Sequence, residues 1–272
     1  ALEDKGKELP VTKSDENTWN ISNGKNLDKV VYLVNDTFDT ENVKKDHVFS
    51  PAGTNILKGR NFMLNLHGFV GYFKGMTEVP YQLSISSPNN LIPTTSMPRK
   101  MDGKKTPGTD VFSASRYFEI TDNPIMYASP DTTSFQLKDI KVTLGVYSPN
   151  KLYAALDFEP SMEKMMQAQK AFLGATNGTK SYDIILYLSN FAKDDATVFG
   201  AWEHHKSTVV VFPEQMDKDR LEEAMIDVVS HEFFHTLTPL NVHSKEIQYI
   251  DYNNPKMSEH LWMYEGTTEY FA

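Results

Sequence analysis

Ser230-His231-Glu232-Phe233-Phe234-His235, close to the C-terminus, is the stretch on which the reading of this chain turns. It contains His-Glu-x-x-His, a spacing that on a helix sets two imidazoles one turn apart on the same face. His231 and His235 placed in this way can both reach a single Zn²⁺ ion, at about 2.0–2.1 Å each. Glu232, one step round the helix, then stands beside the open coordination position and can take a proton from the water there. The competing reading is a pair of buried structural histidines. The flanks weigh against it. Pro213 to Val229 reads as a helix, with Asp219 and Glu222 spaced as a capping box. Leu221, Ala224, Met225, Val228 and Val229 form a buried stripe, and Thr238-Pro239 is expected to end the helix.

Two histidines leave a catalytic zinc site one protein ligand short. The third is expected downstream, on an element packed across from the first helix. Leu261 to Phe271 offers Glu265 and Glu269 four apart, on one face of an aromatic helical segment.

Composition narrows the classes. The chain has 272 residues, 40 % of them hydrophobic, enough for one large domain or two ordinary ones with a true core. A net charge of −9 offers no electrostatic footprint for nucleic acid or an anionic membrane. No apolar run reaches the ~18 residues of a membrane span, so no membrane insertion is expected. The absence of cysteine excludes disulfides and thiolate metal sites. It leaves the compartment open, with a periplasmic or secreted location slightly favoured.

Along the chain, residues 1–150 read as a β domain, sandwich-like and antiparallel. Asn17 to Ser22 and Val30 to Val34 are strand-like, and Tyr81, Leu83 and Ile85 alternate with polar residues, as do Ile140, Val142, Leu144 and Val146. Asn89 to Pro107 reads as a long exposed loop. A change at Ser148-Pro149-Asn150 opens residues 151–272, where helices and strands alternate. A helix is expected after Pro160-Ser161, ended by Gly174, and strands at Tyr182 to Leu188 and Thr208 to Phe212. The whole reads as α+β. Both ends look cut, and a further C-terminal part of the same polypeptide is expected to complete the cleft.

The motifs His231-Glu232-Phe233-Phe234-His235-Thr236, Asp251-Tyr252-Asn253-Asn254-Pro255 and Leu261-Trp262-Met263-Tyr264-Glu265-Gly266 resemble the glycyl-aminopeptidase family of gluzincin metallopeptidases. These are thermolysin-like zinc enzymes related to aminopeptidase N. The resemblance implies a thermolysin-like α/β catalytic subdomain behind the β domain. It implies one zinc ion held by His231, His235 and Glu265, with Glu232 as general base. Glu269, one turn on, would hydrogen-bond a ligand histidine. From His235 to Glu265 there are 29 intervening residues, more than is typical of aminopeptidase N relatives, and at the shorter spacing this chain has Asn254. The Glu265 assignment therefore rests on its Tyr-Glu-Gly motif.

Gly200-Ala201-Trp202-Glu203-His204 resembles the segment whose glutamate, in aminopeptidase N relatives, binds the free α-amine of the substrate. An ammonium in a partly dry cleft needs a carboxylate partner, and Glu203 would supply it. His204 is a candidate for lining the cleft. The implied function is removal of small N-terminal residues, glycine or alanine, from peptides. Two alternatives stay open: a thermolysin-type zinc endopeptidase, and a zinc-binding peptide scaffold with little turnover.

Overall fold

The computed structural model describes residues 2–41, 48–87, 90–100, 108–174, 178–192 and 195–272. The N-terminal third is β-rich and antiparallel throughout. β1 (Leu2–Asp4) pairs with β2 (Lys7–Glu8), and β3 (Val11–Lys13) pairs with β4 (Trp19–Ile21). β5 (Lys29–Val30) joins the other side of β1. A single-turn helix, α1 (Phe38–Glu41), buries Phe38 against Met63 and Met126. These two methionines belong to a four-stranded sheet. It forms from β6 (Asn55–Leu57), β7 (Asn61–Leu64), β9 (Ile92–Thr94) and β11 (Ile125–Ala128), in the order β6-β7-β11-β9. Beside it, β8 (Tyr81–Ser86) pairs with β10 (Thr109–Ala114). Along β8 every second residue is half-buried and the rest are exposed, the period of two expected of its sequence. A short helix, α2 (Tyr117–Thr121), packs on the same core.

The stretch from 89 to 107 is not one exposed loop. Asn89 and residues 101–107 lie outside the described residues. Between them Ile92–Thr94 forms β9, and Leu91 and Met97 are buried. Leu91 and Met97 give this polar segment apolar anchors. Pro93 is tolerated because β9 is an edge strand of its sheet.

The second half is organised on a mixed five-stranded sheet. β12 (Thr132–Leu137), β13 (Ile140–Tyr147), β14 (Ser181–Ser189), β15 (Gly200–Glu203) and β16 (Ser207–Pro213) lie in the order β12-β13-β14-β16-β15. The inner three are parallel and the two edges antiparallel. β14 is buried on both faces, which is why Tyr182 to Leu188 is a continuous apolar run and not an alternating one. One face is covered by α3 (Ala155–Leu173) and α4 (Lys218–Phe234) through Phe158, Met162, Met166, Leu221, Met225 and Phe233. The other face lies on the N-terminal unit, where Met63 and Met126 meet Ile185, Tyr187, Val209 and Val211.

This sheet corrects the expected division at residue 150. Strands from 132 to 147 hydrogen-bond into the same sheet as strands after 180. The alternation in Ile140 to Val146 reported a half-buried strand but not its partner, and the partner comes from beyond the supposed boundary.

Helix starts also differ from expectation. α3 begins at Ala155, and Pro160 sits inside it. The start is set by side-chain caps: Asp157 accepts the Ala154 N–H at 2.8 Å and Asp131 the Ala155 N–H at 2.8 Å. Pro160 removes one amide bond near the N-terminal turn, where Leu156 is 71 % exposed and its carbonyl can turn to water. α4 is capped by Asp217, which accepts the Arg220 N–H at 3.0 Å, and not by Asp219. It ends at Phe234, earlier than Thr238-Pro239, leaving His235 as its C-cap residue, still in helical conformation. Two short helices complete the chain, α5 (Lys245–Gln248) and α6 (Leu261–Phe271).

The tightest joint between the two halves is Gly145 on β13 against Thr94 on β9. A Cβ at Gly145 would lie 2.6 Å from Thr94 Oγ1 and 2.8 Å from its Cγ2. Gly145→Ala should therefore lower the unfolding free energy by about 1–3 kcal/mol, the ordinary cost of overpacking. Urea unfolding measures it, and an unchanged midpoint would show that the sheets do not meet there.

Candidate metal centre

The centre is assembled where α6 crosses the C-terminal end of α4. His231 and His235 stand on successive turns, with ring centroids 4.8 Å apart and Nε2 atoms at 3.1 Å. Glu265, from α6, brings a carboxylate oxygen to 3.3 Å from His231 Nε2 and 3.5 Å from His235 Nε2. Donors on a tetrahedral zinc with bonds of about 2.0–2.2 Å lie roughly 3.3–3.5 Å from one another. The observed triangle has that size.

The outer contacts settle which ring nitrogens are free. His231 Nδ1 lies 3.1 Å from the Glu269 carboxylate, and His235 Nδ1 lies 2.9 Å from the Thr238 carbonyl. Each contact calls for an N–H on Nδ1 and leaves Nε2 with its lone pair. Two lone pairs and a carboxylate oxygen then converge on one point. In that tautomer the three donor atoms converge, and the set fits a divalent ion such as zinc.

The electrostatics say the same. Hydrogen bonds from His231 and then His235 hold the Glu265 carboxyl down at about 2. Burial pushes His235 down, but its hydrogen bond to Glu265 and the charge of Glu203 outweigh this and carry it up to about 9. His231 is raised as well, chiefly by Glu265.

Glu232 is buried, and its Oε2 has no hydrogen-bond partner among the described residues. Burial first, and the nearby Glu203 second, push its carboxyl up to about 7. Glu203 ends β15. Its carboxylate, that of Glu232 and the His235 ring offer donor atoms all within 4.8 Å of one another. Glu203 pairs across the ladder with Thr208, and Ala201, two residues earlier on the same face, packs against the α4 side of the sheet.

Six of the residues singled out from the sequence thus come together: Glu203, His231, Glu232, His235, Glu265 and Glu269. His204 does not join them. It is 2 % exposed and faces the N-terminal unit, with Nδ1 3.4 Å from Asp122 and its ring against Trp202. It does not line the cleft, because side chains alternate along β15 and the turn after Glu203 aims the next one the other way. His67 sits edge-on to Trp202, away from the ligands, and His47 lies outside the described residues.

Several supporting groups carried no signal in the sequence. Gln169 on α3 donates to the Ser230 carbonyl at 2.8 Å, which ties the two helices beside the first ligand. Ser244 N–H donates to Tyr264 Oη at 3.0 Å and anchors α6. Asp122 reads as a turn residue after a helix, and Thr238 acts through its backbone carbonyl, which no side-chain motif reveals.

Residues 1–129 match the model of the peptidase M61 N-terminal domain, and residues 224–272 match that of M61 glycyl aminopeptidase. The chain belongs to the M61 glycyl aminopeptidase family. Its fold is also seen in the crystal structure of an aminopeptidase N family protein from Idiomarina loihiensis, with a TM-score of 0.72 at 20 % identity. That pairing covers 99 % of this chain and 44 % of the other, so the chain spans less than half of that protein's length. Native yeast LTA4 hydrolase aligns at a TM-score of 0.37 and 21 % identity, over 58 % of this chain and 22 % of its own. No curated protein matches the chain. Among the described residues of this M61 chain, no helix is long and apolar enough to cross a membrane.

The geometry separates ligands from base. His235→Ala should remove most bound zinc, by metal analysis after dialysis, since two donors hold the ion far less tightly than three. Glu232→Gln should keep it. Full retention in the first variant, or loss in the second, would mean the roles are misassigned.

Proposed function

We propose that this chain carries the catalytic centre of a zinc-dependent aminopeptidase that removes small N-terminal residues from peptides. The observation that carries the reading is the place of Glu203: a carboxylate at the end of an edge strand, within 4.8 Å of Glu232 and of ligand His235. His231, His235 and Glu265 would hold one zinc ion. When bound, zinc would polarise the scissile carbonyl and acidify the attacking water.

The chain's own residues do the rest. β15 leaves one side of its backbone unpaired at the edge of the sheet, where an extended peptide can add as a further strand. Glu203 would then meet the ammonium of the first residue, which would set the following peptide bond beside His231, His235 and Glu265. Glu232 takes a proton from the attacking water and passes it to the leaving amine. A carboxyl raised by burial holds that proton well enough to deliver it. Glu269 and the Thr238 carbonyl keep the imidazoles turned. The preference for glycine or alanine follows the family, and the peptide is the expected partner. An endopeptidase would share the ligands and the base but has no use for a carboxylate at the place of Glu203.

Glu203→Ala should cut kcat/KM on glycine or alanine p-nitroanilide by a factor of about 10² to 10³, because a buried ammonium loses its counter-charge. Zinc content should not change, and any N-blocked peptide that is cleaved should suffer far less. Equal losses on free and blocked substrates would leave the endopeptidase.

The pH profile offers a second check. The acid limb of kcat/KM falls as Glu232 takes up its proton, so activity drops as pH is lowered through that limb. Glu203→Gln removes a neighbouring negative charge that raises Glu232 and should shift the limb to lower pH. A limb that stays in place would separate the two carboxylates.

A further inference from the structure

β15 is four residues long and, among the described residues, is paired on one side only. Its end, where Glu203 sits, must be held by something besides the ladder. Thr208 Oγ1 donates to the Trp202 carbonyl at 3.1 Å, and the His204 N–H donates to the Ser207 carbonyl at 3.0 Å across the turn. The remaining restraint comes from the N-terminal unit. Asp122, at the end of α2, is 12 % exposed at its side chain and grips the two residues after Glu203. One oxygen lies 3.4 Å from His204 Nδ1; the other accepts from His205 Nδ1 at 3.0 Å and from the His205 N–H at 3.3 Å.

The grip continues to the metal ligands. His205 Nε2 lies 3.2 Å from the Leu240 carbonyl, and the Leu240 N–H donates to the His235 carbonyl at 3.2 Å. Phe118 of α2 packs edge-on against the His205 ring at 5.1 Å. On the face of β15 opposite Glu203, Trp202 is flanked by His67 at 5.6 Å and His204 at 4.9 Å. One carboxylate thus joins the N-terminal unit, the strand that bears Glu203 and the segment after His235. Burial alone would raise the Asp122 carboxyl; the two histidines outweigh it and hold it below the usual range. An ionic cluster of this kind is no more stabilising than apolar packing of the same volume, so its use here is to define geometry.

We propose that Asp122 is a positioning residue for Glu203, so that the N-terminal β unit sets how far the amine-reading carboxylate stands from the metal ligands. The proposal rests on Glu203 being the group that binds the substrate's amine. Asp122 touches no substrate. It fixes the β15–β16 turn against α2 and, through His205 and Leu240, against the segment after His235.

The test uses Asp122→Asn, Glu203→Ala and the double variant in the purified, zinc-loaded protein. Binding of glycine hydroxamate and acetohydroxamate is measured by calorimetry; the two share a metal-binding group and differ in the amine. Asp122→Asn should weaken glycine hydroxamate by about tenfold and leave acetohydroxamate and zinc content unchanged. KM for glycine p-nitroanilide should rise by about as much, with kcat altered less than about threefold. In the Glu203→Ala background the same substitution should add less than about twofold, since both act through one carboxylate. Equal weakening of the two hydroxamates, or an undiminished loss on top of Glu203→Ala, would show that Asp122 only holds the fold. If Asp122→Asn does not fold, His205→Gln replaces it under the same expectations. A Glu203→Ala variant that binds both hydroxamates as the native protein does would overturn the amine-reading role itself. A silent Asp122→Asn beside a large Glu203→Ala effect would overturn the positioning role alone.

Discussion

Two imidazole nitrogens and a carboxylate oxygen within 3.1–3.5 Å of one another in a half-buried site need positive charge among them, from ring protons or from a cation. His231, His235 and Glu265 are held in that state, and much of the catalytic half is arranged to hold them. Asp217 caps α4, Gln169 ties it to α3, and Ser244 anchors the helix that carries Glu265. Glu269 and the Thr238 carbonyl fix the ring tautomers. None of these contacts is large. Together they keep the donor triangle from relaxing into separate hydrogen bonds.

The five-stranded sheet plays the second part. One face carries the helices of the metal centre and the other lies on the N-terminal unit, so the two sequence halves share a single platform. Gly145 lets β13 approach Thr94 where any side chain would collide. The edge strand β15 is then pinned from both directions, with Glu203 turned to the helices and Trp202 and His204 turned to the N-terminal unit. The position of Glu203 is thereby fixed by both halves of the chain and not by one alone.

The repulsion between Glu203 and Glu232 fits that arrangement. Two carboxylates within 4.8 Å of a shared histidine are costly without a cation. Burial first, and Glu203 second, raise the Glu232 carboxyl.

By itself the sequence determined which residues close along the chain would share a face. His231, Glu232 and His235 were legible because a helix converts a spacing of four into a shared face, and Glu265 with Glu269 for the same reason. Burial of the inner strands was legible in the run from Tyr182 to Leu188, because a strand covered on both faces needs no polar alternation. Tertiary structure alone decided what depends on partners far away in the chain. The alternation in Ile140 to Val146 could not say that β14 would be its neighbour. Asp122 is an ordinary turn residue until the fold sets it beside His205, 83 positions later. His204 and Glu203 are adjacent in sequence, and only the packing of β15 between two layers sends Glu203 toward Glu232 and His235 and His204 to the N-terminal unit. Local order arises from short-range geometry, which a sequence displays; the pairing of distant strands and buried charges depends on which surfaces can be dried together, and that is settled only when the whole chain is folded.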